Sequence, residues 1–244
     1  MPFDRSSGPG FAPQPYQPQP RVLVSGASDV ERSFMSAVYR WMTVGLAVTA
    51  GVAYWVATSE AALNVIFGNR LILIGLVVAQ LGLVIALTAA AQKLSAPAAG
   101  AMFVVYAGLT GVTLSSILLV YTGSSVALAF VTTAGTFGAM SVYGTVTRRD
   151  LTAWRSFLMM GLIGMVIAGV VNIFLHSSAL SFVYSCVGVL VFTGLTAYDT
   201  QKLRAFAQAG GGTASLAVNG ALSLYLDFVN LFLSLLRLMG NRRD

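Results

Sequence analysis

Long apolar runs separated by short polar breaks dominate the chain from Val38 onward. The runs lie near residues 38–57, 71–91, 98–120, 124–145, 156–175, 180–201 and 216–237. A helix needs about 20 mostly apolar residues to cross the hydrocarbon core of a bilayer, and each run approaches or reaches that length. The pattern therefore predicts seven transmembrane helices joined by short turns, which is the fold class of an all-α membrane protein.

Composition agrees with lipid as the main solvent of this chain. Hydrophobic residues make up 57% of the 244 positions and charged residues 9%, whereas a soluble domain carries about 25% charged residues. The formal net charge is +6, but the basic residues are scattered at the ends of the apolar runs. They form no basic patch interleaved with aromatic residues, so a nucleic-acid partner is not expected.

The N-terminal residues have a different composition from the rest. Six of the seven prolines fall within the first 20 residues, where PGFAPQPYQPQP alternates proline with glutamine. Such a segment buries too little apolar surface to fold. We therefore expect a disordered Pro/Gln-rich tail over residues 1–33, one transmembrane domain over 34–240 and a short C-terminal tail over 241–244.

The distribution of Lys and Arg predicts a cytoplasmic N-terminus. With that orientation, ten of the 14 basic residues lie on the cytoplasmic side and four on the outer side, as the positive-inside rule favours. Three of the four outer residues belong to the C-terminal sequence RLMGNRRD. Two interpretations stay open: either the tail tolerates this mismatch, or one segment is re-entrant and returns the C-terminus to the cytoplasm.

Two aspartates, Asp199 and Asp227, lie inside apolar runs, whereas the other six acidic residues fall in tails or connections. A carboxylate at the centre of a span costs about 2.5 to 3.5 kcal/mol on insertion scales, so both are candidates for a functional role. Helical spacing of about 100° per residue places Asp227 on one polar stripe of the last span. The other members of that stripe are Asn219, Ser223, Asn230, Ser234 and Arg237.

The two carboxyls can meet near the cytoplasmic side. Asp199 lies three residues before Lys202, at the cytoplasmic end of the sixth span. Asp227 lies roughly 10 to 16 Å into the seventh span, which starts on the same side. Two carboxylates in a partly dry site do not both ionise easily, so the pair can hold a shared proton. The simpler alternative is a carboxyl that is protonated or hydrogen-bonded between helices without any further role.

Two segments resemble a known family. TAYDTQKL, at Thr196–Leu203, and LYLDFVNLFLSLLR, at Leu224–Arg237, are similar to the signature segments of the Bax inhibitor-1 family, also called the transmembrane Bax-inhibitor-motif family, in its bacterial branch. The resemblance covers about residues 34–240 and leaves out the proline-rich tail. It implies a multi-pass protein of the bacterial inner membrane whose last helix is surrounded by the other six.

The resemblance also implies a pH-sensitive calcium leak. In the family, two aspartates form a hydrogen-bonded pair near the cytoplasmic side that responds to protonation, and their positions correspond to Asp199 and Asp227. Carboxylate oxygens suit hard cations, so the pair can also contact Ca²⁺ transiently, and no tightly bound cofactor is expected. The polar residues expected to line a pore or form part of a latch are Lys93, Asn219, Ser223, Asn230 and Ser234.

Lys93 marks a departure from the family pattern. Some bacterial relatives carry an arginine cluster at the cytoplasmic end of the second span, where an arginine helps to latch the aspartate pair. This chain has AAAQKLSAP there, with Lys93 as the nearest cation. A lysine offers a point charge rather than a planar fork, so we expect the latch to be weaker or absent.

The family offers one alternative function, and the residues suggest one enzyme class. The alternative is a regulatory protein that binds and restrains a membrane-bound ATP-dependent protease. An intramembrane aspartyl protease would explain Tyr198-Asp199, but the Gly-x-Gly-Asp it requires is Leu224-Tyr225-Leu226-Asp227 here. One histidine and one cysteine supply no metal-ligand cluster. We therefore predict a protein that is not an enzyme, with Tyr198 and Tyr225 as aromatic anchors at the membrane interface.

Overall fold

The computed structural model describes residues 22–243, with side chains from Asp29 onward, and these residues fold almost entirely into helices. Seven helices are long and apolar enough to span a membrane, which confirms the predicted fold class. The helices are α1 Val22–Thr58, α2 Glu60–Phe67, α3 Arg70–Ala89, α4 Ala96–Val120, α5 Gly123–Val146, α6 Arg155–Leu175, α7 Ser178–Gln208 and α8 Ala214–Met239.

The helices differ from the predicted spans mainly at their ends. Residues 1–21 of the predicted tail lie outside the described residues, and α1 begins at Val22, so residues 22–33 are helical. The last proline before α1 is Pro20, and the one later proline, Pro97, lies in the first turn of α4, where its missing N–H breaks no helical hydrogen bond. Helix α7 continues to Gln208, seven residues past the predicted end of its span. The short helix α2 and a single 3₁₀ turn at Leu151–Trp154 fill two of the connections.

Hydroxyl side chains define where four of the spans begin. Each lies one residue before its helix and accepts a hydrogen bond from the backbone N–H three residues later, which satisfies one of the free donors of the first turn. These capping residues are Ser95 for α4, Thr122 for α5, Ser177 for α7 and Thr213 for α8. The turns between spans can therefore be short without leaving backbone donors unpaired near lipid.

Helix α8 lies at the centre of the bundle. It packs against α1, α4, α5 and α7, and 50% of its most apolar stretch is buried, compared with 6% for α3 and 11% for α6. Leu224 and Leu231 are fully enclosed, whereas Leu71 of α3 and Phe174 of α6 are largely exposed on the lipid-facing surface. This arrangement confirms the prediction of a central last helix.

The C-terminal tail lies against the turn between α4 and α5. The backbone N–H of Thr122 donates to the carbonyl of Asn241 over 3.1 Å, and that of Arg243 donates to Val120 over 2.9 Å. A bridge between Tyr121 and Arg242 completes the contact. Seven helices are long enough to span the membrane, and the contact with the turn between α4 and α5 puts the tail at the end of the bundle opposite the N-terminal end of α1. This arrangement favours the interpretation in which the tail lies on the outer side, which stays a prediction.

Labelling of single cysteines tests this arrangement. In a background where Cys186 is replaced by Ala, we expect Arg243→Cys and Ser124→Cys to react with a membrane-impermeant maleimide added outside intact cells. Lys93→Cys, in the turn after α3, should react only after the membrane is permeabilised. If position 243 reacted together with position 93 instead, the tail would lie in the cytoplasm.

Gly144 allows α5 to approach the backbone of α7. A Cβ atom at this position would overlap the carbonyl group of Ala197, whereas a Cβ at Gly138 on the same helix would meet open space. Small residues at such positions bring the backbones of membrane helices into contact. Gly144 thus holds the stretch of α7 that carries Asp199 against α5.

A matched pair of alanine substitutions tests this contact. We expect Gly144→Ala to lower the stability of the protein in lipid nanodiscs by about 1 to 3 kcal/mol, because the added methyl group collides with rigid backbone. Gly138→Ala should be neutral or stabilising by up to about 1 kcal/mol, because alanine is the better helix former. Thermal unfolding of both variants measures the difference. Equal effects of the two substitutions would contradict the close contact.

Candidate functional site

The candidate site follows the seam between α7 and α8, which run antiparallel. Gly188 lies against Ser234 towards the outer end of this seam, and Gly220 lies against Leu203 towards the cytoplasmic end. A Cβ at Gly188 would overlap the Ser234 hydroxyl. The two helices therefore pack tightly on either side of Asp227.

Asp227 is the one charged residue on the buried face of α8. Its side chain is 5% exposed, and its Oδ2 atom has no hydrogen-bond partner among the described residues. Asp199 lies on the facing helix α7, at the cytoplasmic end of the same seam. A buried carboxyl without a partner is costly in its charged form, so this position is sensitive to protonation. No hydrogen bond joins the two aspartates within residues 29–243, and their pairing stays a prediction.

Asp199 is half-buried and faces a cleft at the cytoplasmic end of the seam. The cleft has a volume of about 190 Å³, and we call it the inner cleft. Its lining combines the predicted residues Asp199, Asn219 and Ser223 with Lys202, Leu203, Phe206, Leu216 and Gly220. Asp199 thus borders the inner cleft, whereas Asp227 is enclosed further along the same seam.

The predicted polar residues nearer the outer side do not face an open space. Asn230 donates from Nδ2 to the carbonyl of Leu226 over 2.8 Å, and Ser234 donates to the carbonyl of Asn230 over 2.8 Å. These bonds stay within α8, and the Thr193 hydroxyl opposite them is buried without a partner among the described residues. The seam is therefore closed between Asp227 and Ser234.

A second polar cavity lies beyond this closed segment, at the outer ends of α6, α7 and α8. It has a volume of about 290 Å³, and we call it the outer pocket. Its lining residues are Gly169, Asn172, Ile173, Ser181, Tyr184 and Arg237. The polar stripe of α8 thus runs from the inner cleft, past Asp227, to a cavity on the opposite side of the membrane.

Comparison with known proteins identifies the family. The sequence profile described as "Inhibitor of apoptosis-promoting Bax1" matches residues 31–244. The chain belongs to the Bax inhibitor-1 family. The match covers the whole membrane-spanning part of the chain, including both segments that carry the resemblance.

Relatives in the family are close and bacterial. The Inner membrane protein YbhL of Escherichia coli is 53% identical over 217 residues, which are 87% of this chain and 93% of that protein. An uncharacterized protein of Deinococcus radiodurans is 51% identical over 219 residues, 88% of this chain and 93% of its own length. Together with the seven spans, these matches support a multi-pass protein of the inner membrane.

Lys93, the expected latch of this Bax inhibitor-1 family member, lies apart from the aspartates. It is exposed in the turn after α3, and it forms no ion pair with any residue that the structure describes. The cation that acts on Asp199 is Lys202, on the same helix and beside the same cleft. Asp199 and Lys202 are three residues apart, which places both on one face of the helix. This spacing could have indicated their contact from the sequence.

An ion pair that the sequence did not suggest ties three helices together next to the inner cleft. Arg204 of α7 donates to the Glu31 carboxylate of α1 and to the carbonyl of Thr145 of α5. Gln208 donates to the same carboxylate over 2.8 Å. We call this group the Arg204 cluster. Its ion pair is the only one among the described residues, and it begins five residues after Asp199.

Tyr225 and Tyr198 are buried, so their prediction as interfacial anchors is wrong. Tyr225 is fully enclosed, and its hydroxyl lies 2.6 Å from that of Thr49 on α1. Because Thr49 donates its own proton to the carbonyl of Ala107, Tyr225 is the donor to Thr49. The cause for Tyr225 is the central position of α8, which encloses the face of the helix that carries this residue.

No group of three or more His, Cys, Asp and Glu side chains within residues 29–243 is placed to hold a metal ion. Asp199 and Asp227 supply at most two carboxylates, fewer ligands than the six to eight oxygens of a lasting calcium site.

The Arg204 cluster can be tested by stability. We expect Arg204→Gln to lower the stability of the protein in nanodiscs by about 1 kcal/mol, because a partly buried ion pair and its hydrogen bonds are lost. Arg155→Gln, which removes an exposed arginine on the same side of the membrane, is the matched control and should change little. A loss of the same size in both variants would mean that the cluster contributes nothing specific.

Proposed function

We propose that this protein is a pH-sensitive cation leak of the inner membrane, with calcium as the permeant ion and Asp199 and Asp227 as its gate. The observation that carries the proposal is the Oδ2 atom of Asp227, which is buried without a partner behind a polar cleft. The resemblance to the Bax inhibitor-1 family supplies the ion and the sensitivity to pH. The role is non-enzymatic.

The gate works through the charge of the aspartate pair. In the closed bundle the pair holds one proton, because two adjacent carboxylates in a dry site repel each other. Loss of that proton leaves Asp227 charged, with Lys202 beside Asp199 as the nearest compensating charge. The charged pair is better solvated if α7 and α8 separate and water enters the seam. The closed state therefore binds the proton more tightly, so rising pH favours opening.

The same charge attracts the ion. Once the seam is hydrated, Asp199 and Asp227 present two carboxylates to a cation that arrives through the inner cleft. Asn219 and Ser223, which line that cleft, provide further oxygen ligands. Too few ligands are present to retain a divalent ion, which permits its release.

Calcium flux into liposomes tests the gate. With purified protein and an enclosed calcium indicator, we expect flux to rise between pH 6 and pH 8, by up to about tenfold per pH unit if one proton is released. The double variant Asp199→Asn, Asp227→Asn should flatten this dependence, because neither amide has a proton to lose. Glu60→Gln, which removes an exposed acid on the outer side, is the control and should keep the wild-type profile.

The outcomes separate the leak from a regulatory role. Flux that depends on pH equally in the wild type and in the double Asp→Asn variant would refute the aspartate gate. A wild-type protein that carries no calcium at any pH, but still restrains a membrane-bound ATP-dependent protease in cells, would replace the leak with the interaction function.

A further inference from the structure

The outer pocket contains hydrogen-bond donors and a cation but no acidic side chain. Arg237 extends over it, with its guanidinium carbon 5.4 Å from the centre of the Tyr184 ring. This cation–π contact fixes the direction of the guanidinium group. Arg237 forms no ion pair or hydrogen bond with the side chains and backbone that the structure describes. A positive charge therefore faces a cavity without any negative group to balance it.

Asn172 is the pocket residue whose acceptor is used while one donor stays free. Asn172 accepts from the backbone N–H of Ser177 over 3.0 Å and donates one amide proton to the Ser181 hydroxyl over 2.7 Å. That hydroxyl in turn donates to the carbonyl of Ser177. These bonds fix the Asn172 amide and leave its second N–H free. Together with the Tyr184 hydroxyl and Arg237, the pocket offers several donors, which is the lining expected for an oxyanion.

The position and size of the pocket indicate where the oxyanion comes from. The volume of about 290 Å³ is roughly ten times the share of one water molecule, enough for a phosphodiester with its glycerol. Ile173 lines the pocket and is also exposed on the lipid-facing side of α6, next to Val170 and Phe174. The cavity is therefore continuous with an apolar surface along which acyl chains can lie.

We propose that the outer pocket binds the phosphate of an anionic phospholipid from the outer leaflet, with Arg237 as the main ligand. The Asn172 amide and the Tyr184 hydroxyl complete the headgroup contact, and the acyl chains follow the exposed face of α6. A bound lipid would then connect α6 with α7 and α8 at the outer end of the seam. This inference does not depend on whether the protein conducts calcium.

Lipid binding to the purified full-length chain tests the proposal. Native mass spectrometry of delipidated protein, titrated with phosphatidylglycerol or phosphatidylcholine, measures the affinity for each lipid. We expect one tightly bound phosphatidylglycerol and about tenfold weaker binding in Arg237→Gln, the usual effect of losing a charge-assisted hydrogen bond. Arg237→Lys should bind with intermediate affinity, because a point charge replaces the planar fork. Arg70→Gln removes an exposed arginine on the same side outside the pocket and should bind as the wild type does.

Further measurements distinguish loss of the lipid site from a folding defect and from a site for a free anion. Tyr184→Phe removes only one hydroxyl, so it reports on the pocket even if Arg237→Gln fails to fold, and we expect it to weaken phosphatidylglycerol binding about threefold. Equal binding of phosphatidylglycerol by the wild type and by a folded Arg237→Gln variant would overturn the proposal. Inorganic phosphate that displaces the lipid and raises the unfolding temperature by itself would overturn the lipid assignment, since the site would then serve a free anion.

Discussion

A carboxyl group buried in the central helix of a membrane bundle is the constraint on which the rest of this structure depends. Asp227 occupies the helix that the other spans enclose, and one of its oxygens has no partner among the described residues. Such a group is tolerated because α8 packs on four other helices. Burying the charged form of this carboxyl costs free energy. Gain or loss of its proton therefore changes the free energy of closing the bundle.

The surroundings of Asp227 determine what that sensitivity can control. On the cytoplasmic side, Asp199 and Lys202 face the inner cleft, which in the proposed leak admits protons and cations from that side. On the other side, the contact between Gly188 and Ser234 closes the seam. The Arg204 cluster holds α1, α5 and α7 together just beyond the cleft. The opening that we propose would therefore require movement of α8 or of the outer half of α7, rather than separation of the cytoplasmic ends.

Much of the fold followed from the sequence because lipid imposes simple rules. The length of apolar runs predicted all seven spans, and the spacing of polar residues predicted the inward-facing stripe that contains Asp227. Contacts between distant residues were not predictable: Glu31 and Arg204 are 173 positions apart, and Glu31 falls in a segment whose composition suggests a tail. Tyr225 was misinterpreted because position along a span does not reveal whether a helix is central. Lys93 was favoured by its place in the sequence, whereas helix geometry places Lys202 beside Asp199.

The central claim is that the closed protein holds one proton between Asp199 and Asp227 at neutral pH. Infrared spectroscopy of the protein in nanodiscs measures this directly, because a protonated carboxyl has a C=O stretching band that a carboxylate lacks. The account predicts one such band at pH 7 that is absent from Asp227→Asn, that shifts in frequency in Asp199→Asn because burial alone still keeps the proton on Asp227, and that disappears from the wild type as the pH rises. A wild-type spectrum without a protonated carboxyl at pH 7, or a band unaffected by either substitution, would contradict it.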